Sequence, residues 1–339
     1  MRILAVSRNF LPNLGGLETA ADALTHAWAE AGHEVTVATE TAGDERSRSG
    51  VSILRRPSPG ALLAATRRAD IVWHNHLSLR AAWTLALAPR PWVVTHQGWI
   101  RGADGGLGPM HRLKRMVAAR AHAIAISEAI AADLPMPATV IPNPYRDRLF
   151  RNLGRPRDFD LAFLGRFVSD KGAALLIDAL GRLKSTGRMP KLMMIGEGPE
   201  GASLRDQAAR LGVAGQIAFK GPLREEAVVE ALNAAEILVV PSLYREPFGI
   251  VALEGIACGC AVVASSGGGL PEAVGPCGVT FPNGDVDALA EAIRDLLESE
   301  ERRRALRAGA AAHLAGFTAA AVARRYLSLF EAVIAGRRA

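Results

Sequence analysis

Short apolar runs alternate with stretches of helical periodicity along this chain. The rhythm breaks once near the middle and then starts again. A run apolar at every position reads as a strand buried on both faces. Strands separated by a helix-length segment are parallel, because the chain must cross back over the sheet. The first series predicts strands at Ile3–Ser7, Val35–Thr39, Ile71–His74, Trp92–Thr95, Ala123–Ile126 and Thr139–Ile141, and a first helix from Leu17 to Ala31 that Gly32 stops. Asn143-Pro144 and the Arg/Pro-rich stretch Arg151–Arg157 read as a linker. The second series predicts strands at Leu161–Leu164, Leu192–Ile195, Ile217–Phe219, Ile237–Val240, Ala261–Ala264 and Val279–Phe281, with helix from Asp285 onward. The expectation is an α/β chain of two doubly wound parallel-sheet domains, 1–150 and 151–316, facing a cleft where ligands bind at the carboxyl ends of the strands.

The bulk numbers agree with this plan. With 339 residues the chain exceeds one ordinary core, and 49% hydrophobic with 22% charged residues is globular composition. Each stretch long enough to span a membrane carries charge, so no span is expected. The opening MRILAVSRNFLP lacks a small-residue cleavage site and reads as a buried first strand. Cys258, Cys260 and Cys277 have no metal-ligand or redox-motif spacing and read as small buried residues in a reducing compartment. Residues 1–150 hold 17 Lys and Arg against 12 Asp and Glu, which accounts for five of the net charge of +6. That bias suits an anionic ligand or a membrane surface and is too small for a nucleic-acid binder.

Three segments carry chemistry. Phe10–Glu18 follows the first strand, and Gly15 and Gly16 let backbone approach an anion at a helix start. It is neither a dinucleotide fingerprint nor a Walker loop. Gly165–Gly172 follows the first strand of the second half and brackets its loop with Arg166 and Lys171, two cations suited to a diphosphate. Pro241–Glu254 follows another buried strand. Glu246 is expected in the loop and Glu254 on the next helix, about two turns from its start, each able to hold a diol. Phe248, Gly249 and Ile250 can offer amides to phosphate. His74, His76 and His96 end neighbouring strands without a carboxylate at ligand spacing, and Asp158-Phe159-Asp160 precedes its strand, so no metal site is expected.

Glu246-x7-Glu254, with Ala257-Cys258-Gly259, Val262–Ser265 and Gly268–Glu272 behind it, resembles the family 4 glycosyltransferases of the GT-B fold, built from two Rossmann-like domains. The Phe10–Glu18 and Gly165–Gly172 blocks match the same family in order and spacing. The resemblance implies that Gly16 offers its amide to the donor phosphate, that Arg166 and Lys171 clamp the diphosphate, that Glu254 binds the ribose and Glu246 the donor sugar. It also implies that His96, in Val94–Gly98, is the active-site histidine, that the terminal helix in 317–339 packs back onto the first domain, and that transfer retains configuration without a metal. Two positions depart from the family. Pro144 stands where it has glycine after Pro-Asn, and Pro247 replaces the glycine before Phe248, which removes a donor beside the sugar.

The expected function is transfer of a sugar from a UDP- or GDP-linked donor, with no cofactor. The acceptor is a lipid-linked saccharide, a polysaccharide or a small natural product, and no nucleic acid is bound. The expected location is the cytoplasm, with peripheral contact on the inner face of an anionic membrane through the basic stretch His111–Arg120. A dehydrogenase would need the missing glycine fingerprint. A GT-B epimerase acting on donor alone and a non-catalytic nucleotide-sugar-binding subunit remain as alternatives.

Overall fold

The computed structural model describes residues 1–12, 15–45, 47–100 and 106–336. The chain divides into two compact units, Met1–Tyr145 with Phe317–Ala339, and Arg146–Gly316.

The sheet of the first unit contains β1 (Arg2–Val6), β2 (Glu34–Thr39), β3 (Ser47–Arg48), β4 (Val51–Arg55), β5 (Ile71–Asn75), β6 (Trp92–His96), β7 (His122–Ala125) and β8 (Ala138–Val140). Their order is β3-β4-β2-β1-β5-β6-β7-β8, parallel except for the short β3–β4 pair. The chain runs outward from β1 to one side and from β5 to the other, so the topological switch lies between β1 and β5, where such sheets hold ligands. β4 is absent from the sequence expectation. Its VSILR alternates and ends in arginine, and it pairs in the sheet only with β2 and two-residue β3, so it lacks the uniform apolar character of a central strand.

One face of this sheet packs on the helices Gly16–Glu30 and Ala319–Ile334. Trp28, Trp73, Tyr326 and Phe330 interlock there with ring centroids 5.0–5.9 Å apart. The Tyr326 hydroxyl lies 3.0 Å from Thr95 Oγ1, which also accepts from Trp73 Nε1 at 2.8 Å. That satisfies three polar groups which would otherwise be costly in a core. The stretch Glu300–Ile334 is long and apolar enough to cross a membrane. Here it is broken at Gly309 and Ala315–Phe317, and the apolar side chains of its last helix lie in the core of the first unit.

The second unit contains β9 (Phe159–Leu164), β10 (Leu192–Ile195), β11 (Ile217–Gly221), β12 (Ala235–Val240), β13 (Ala261–Ser265) and β14 (Gly278–Phe281), all parallel in the order β11-β10-β9-β12-β13-β14. Its switch lies between β9 and β12. β10, β12 and β13 are buried on both faces, which is why their runs are legible as apolar sequence. Asp158 precedes this sheet and Asp160 is the second residue of β9, where its Oδ2 accepts from the Lys191 amide at 2.7 Å. The pair therefore stands at the amino end of the sheet.

Candidate functional site

The two switch points gather the sequence-marked residues. In the first unit β1 leads into the Phe10–Glu18 loop, of which Asn13 and Leu14 lie outside the described residues. Gly15 caps the helix that begins at Gly16, and a Cβ on Gly15 would stand 2.5 Å from the Glu18 carboxylate, so a side chain there has to move Glu18 aside. Beside this loop lies a polar network that sequence spacing did not reveal. Asn75, at the end of β5, donates through Nδ2 to Ser7 Oγ at 3.2 Å and to Leu17 O at 3.1 Å. Gln97 Nε2 donates to Asn75 Oδ1 at 2.8 Å and to Asn143 Oδ1 at 3.0 Å, while Asn143 Nδ2 returns a bond to Gln97 Oε1 at 2.7 Å. These amides tie the ends of β1, β5 and β6 to the start of the first helix.

His96 closes β6 and is fully buried, and neither ring nitrogen has a hydrogen-bond partner. Burial, then His76 and Arg115, pushes its pKa down to about 4, so the ring is neutral at physiological pH. His76 sits beside it on the carboxyl edge with φ 71, rare for a residue with a side chain. Its pKa falls to about 4 through burial and Lys114. His74 lies inside β5, edge-on to Trp92, with its pKa lowered to about 3 by burial. Among the described residues no three His, Cys, Asp or Glu side chains are arranged to hold a metal ion.

In the second unit β9 leads into Gly165 and Arg166. The Arg166 guanidinium is exposed and unpaired among the described residues. A single 3-10 turn, Ser169–Lys171, brings Lys171 back over the strand ends. The turn closes on Gly172 at φ 69, where a Cβ would come within 1.9 Å of Pro241 O, so only glycine fits. Lys171 Nζ stands 2.5 Å from Glu246 Oε1, to which Ser242 Oγ also donates at 2.8 Å. The sequence reading gave these two side chains separate partners, whereas here they meet.

Gly196 and Gly198, after β10, are site elements that the motif reading missed. A Cβ on Gly196 would lie 1.9 Å from Gly165 O, and one on Gly198 2.4 Å from Phe167 O. Both glycines therefore let the Arg166 loop sit against the end of β10. The signal was present as Gly-x-Gly at a strand end.

The Glu246 loop is held by Gly268 and Gly269, the latter donating to Glu246 O at 2.8 Å. Phe248 is buried, and Gly249 is the left-handed cap (φ 104) of the helix Ile250–Ala257. Glu254 is thus the fifth helical residue, little more than one turn from the start and not two. The helix begins only after Gly249, which leaves the amides at Ile250 and Val251 as the free helix-start donors. The Glu254 side chain is 13% exposed, and its nearest cation is Arg146, 3.8 Å away and stacked over Phe150. Burial raises its pKa to about 7, and Arg146 opposes that rise. Arg146 went unremarked in the sequence reading, because 108 positions separate it from its carboxylate.

The basic stretch forms the helix Pro109–Ala118. Arg115 turns inward and donates to the Asp133 carboxylate at 3.0 Å and to Asp133 O at 2.9 Å. Met110, Leu113 and Met116 face out, so this face is apolar as well as basic.

Two parallel α/β domains with these switch points define a GT-B architecture. Sucrose-phosphate synthase from Thermosynechococcus elongatus shares it with a TM-score of 0.80 and 22% identity over 99% of each chain. Anabaena Alr3699/HepE, solved in complex with UDP, does so with a TM-score of 0.80 and 21% identity over 98% of this chain and 100% of that one. Residues 14–147 match the family described as Glycosyltransferase Family 4, and residues 146–313 match Glycosyl transferases group 1. The chain belongs to the family 4 glycosyltransferases. Among its relatives is D-inositol 3-phosphate glycosyltransferase 1 of Catenulispora acidiphila, 36% identical over 206 residues, which are 57% of this chain and 49% of that protein. The chain thus spans about half the length of the curated relative it matches.

Proposed function

We propose that this chain is a retaining, metal-independent glycosyltransferase that moves a sugar from a nucleotide diphosphate donor to an acceptor hydroxyl. The observation that carries this reading is the β9/β12 switch point, where Arg166, Lys171, Ser242 and Glu246 assemble on two adjacent strand ends. Arg166 and Lys171 would take the diphosphate, Glu246 a sugar hydroxyl and Glu254 the ribose. When the anomeric C–O bond breaks, its electron pair stays on the diphosphate. The acceptor oxygen bonds to the anomeric carbon on the same face, and its proton goes to the departing phosphate oxygen. Preorganised cations and helix-start amides aimed at that growing charge are the main catalytic term, and in this reading they serve in place of a metal or any other cofactor. The neutral, unpartnered His96 is suited to a hydrogen bond with a hydroxyl of the transferred sugar.

Residues 1–145 with the terminal helix would serve the acceptor and residues 146–316 the donor. A neighbour solved with UDP makes a uridine donor the first to test and a guanosine donor the second. The acceptor class is a saccharide, a lipid-linked saccharide or a small molecule. The site of action is the cytoplasm, with Met110, Leu113 and Met116 resting on the inner face of an anionic membrane beside Arg112, Lys114 and Arg120. The experiment is calorimetric titration with UDP, GDP and their glucose and mannose conjugates, with and without EDTA. The expected result is binding of one nucleotide that chelation leaves unchanged and Arg166→Ala weakens. Absence of binding by all of them sinks the reading, and conversion of donor alone without acceptor makes the chain an epimerase.

A further inference from the structure

A cavity of about 430 Å3 opens at the carboxyl edge of the first sheet, over the tips of β4, β2, β1 and β5. Its apolar floor includes Val6 and Ala38, which pair in register, and its rim carries Arg8, Glu40, Arg56 and Arg80. Arg8 Nε lies 3.2 Å from Glu40 Oε2 and Arg80 Nη1 lies 3.6 Å from the same oxygen. Arg56 Nε donates to Glu40 O at 3.1 Å. Three guanidiniums against one carboxylate leave two positive charges unmatched among the described lining residues. The backbone invests in this arrangement: Arg56 holds φ 45, a conformation rare outside glycine, fixed by its amide bond of 2.7 Å to Thr39 O. Arg8 and Arg80 are 67% and 77% exposed, so water screens their mutual repulsion and leaves both guanidiniums open to an incoming anion.

The face of the sheet is the deciding detail. Val6 is in register with His74, and His74 with Val94. Side chains alternate along a strand, so His96, two residues beyond Val94, points to the same face as Val6. The cavity and His96 therefore share one face and one edge of one sheet. Arg8 and Glu40 follow β1 and β2, two and three strands from β6, which at about 4.8 Å per strand sets the Arg8–Glu40 pair about 10–15 Å across the sheet from His96, with Arg56 further out beyond β4 and Arg80 reaching in from beyond β5.

We propose that this cavity is the anion subsite of the acceptor and takes a phosphate ester, with Glu40 as the counter-ion that the phosphate displaces. Forked guanidiniums match phosphate oxygens, and once Glu40 is displaced three of them face the two charges of a phosphomonoester. The separation from His96 makes the acceptor longer than one sugar ring, with its phosphate remote from the accepting hydroxyl. The word acceptor rests on the glycosyl-transfer reading, whereas the anion site does not.

The test is calorimetric titration of the full chain with inorganic phosphate, with and without UDP. The expected result is phosphate binding that Arg8→Gln with Arg80→Gln weakens by at least about tenfold. Glu40→Gln should tighten it severalfold, because a competing carboxylate is gone, and neither variant should alter UDP affinity. Phosphate binding unchanged in the double variant, or weakened in a Glu40→Gln protein that melts like the parent, overturns the proposal. Competition by phosphatidic acid in phosphatidylcholine vesicles supports a lipid-borne phosphate at this subsite, and competition by a soluble sugar phosphate alone supports a free one. Variant-sensitive phosphate binding in a chain that binds no nucleotide keeps the subsite and removes the transfer reading.

Discussion

Lys171 and Glu246, 75 residues apart in sequence, meet with Nζ 2.5 Å from Oε1, and Ser242 donates to the same carboxylate oxygen. The side chains are 27% and 12% exposed, so neither charge is well solvated on its own. Removing one partner from such a pair strands the other. A ligand that draws Lys171 toward a phosphate therefore has to offer Glu246 a replacement donor, and a sugar hydroxyl is one. In the proposed reading the pair would couple recognition of diphosphate to recognition of sugar, which neither residue could do alone.

Glu246→Gln separates these two roles. It frees Lys171 for the diphosphate while taking the charge off the sugar contact. UDP affinity is expected to hold or rise, and turnover with the sugar donor to fall by about a hundredfold, the loss of about 2.7 kcal/mol of transition-state stabilisation. Calorimetry with UDP set against initial rates checks this. A parallel loss of UDP affinity would place Glu246 on the nucleotide instead.

Glu254 makes nucleotide binding depend on pH. Its pKa is raised to about 7 in the folded chain, so the carboxylate proposed to accept ribose hydroxyls is only partly formed at neutrality. Affinity for uridine, which carries no phosphate to titrate, should rise from about pH 6 to about pH 8 and then level off. Arg146 opposes the shift, so Arg146→Met should move the rise to higher pH and Arg146→Lys should largely restore it. Stability runs the other way. The unfolded carboxyl loses its proton near its ordinary value while the folded one keeps it, so stability falls by about 3 kcal/mol as pH climbs from about 4.5 to about 7. Glu254→Gln should abolish both dependences, and a pH-independent uridine affinity in the parent chain would refute the assignment.

His74, His76 and His96 set the acid limit of the first unit. Their folded pKa values of about 3, 4 and 4 lie below the unfolded value of about 6.5. The unfolded chain therefore binds protons that the folded chain refuses. Stability is full above about pH 6.5 and declines as pH falls, by up to roughly 4 kcal/mol per unit for the three together. Urea unfolding between about pH 7 and about pH 5 measures the slope, and His74→Leu should reduce it by about a third. An unchanged slope in that variant would show that His74 is protonated in the fold.

What could be read from sequence follows from where the information lies. β1, β9, β12 and β13 are apolar along most of their length, so their positions are written locally, and so are the glycine and cation loops at their ends. β4 is masked because it alternates and lies beside the short edge strand β3. The start of the helix bearing Glu254 was misplaced because Gly249 takes a left-handed φ, which composition does not disclose. The amide network of Asn75, Gln97 and Asn143 spans separations of 22 and 46 residues, and the partner of Arg115 lies 18 positions on. Each such pair exists only once the strands and helices are packed together. Candidate residues are legible in sequence, but their partners are not.

Gly172 offers a test of the Lys171 turn that leaves every charged group intact. Gly172→Ala puts a Cβ within 1.9 Å of Pro241 O at a φ of 69, so the loop must shift. Gly187 has a similar φ of 79 with nothing within 4 Å, and Gly187→Ala carries only the left-handed penalty of about 1 kcal/mol. The expected contrast is a modest drop in melting temperature for Gly187→Ala with UDP affinity intact, and for Gly172→Ala a larger drop with UDP affinity lowered at least about tenfold. Equal behaviour of the two variants would mean that the turn does not position Lys171.

The helix Pro109–Ala118 separates apolar insertion from charge attraction. Met110, Leu113 and Met116 are 55%, 40% and 57% exposed, while Arg115 is held inward by Asp133. Neutralisation by Lys114→Gln should weaken binding to anionic vesicles by about fivefold, since a basic residue near such a surface is worth about 1 kcal/mol. Replacing the three apolar residues by serine should weaken it further and also abolish the binding that survives high salt, because burial of apolar area is not screened. Arg115→Glu should instead destabilise the fold, through repulsion from Asp133, without a selective effect on vesicle binding. Flotation with phosphatidylglycerol vesicles at low and high salt distinguishes these outcomes. Unchanged flotation of the triple serine variant would remove the helix from the membrane.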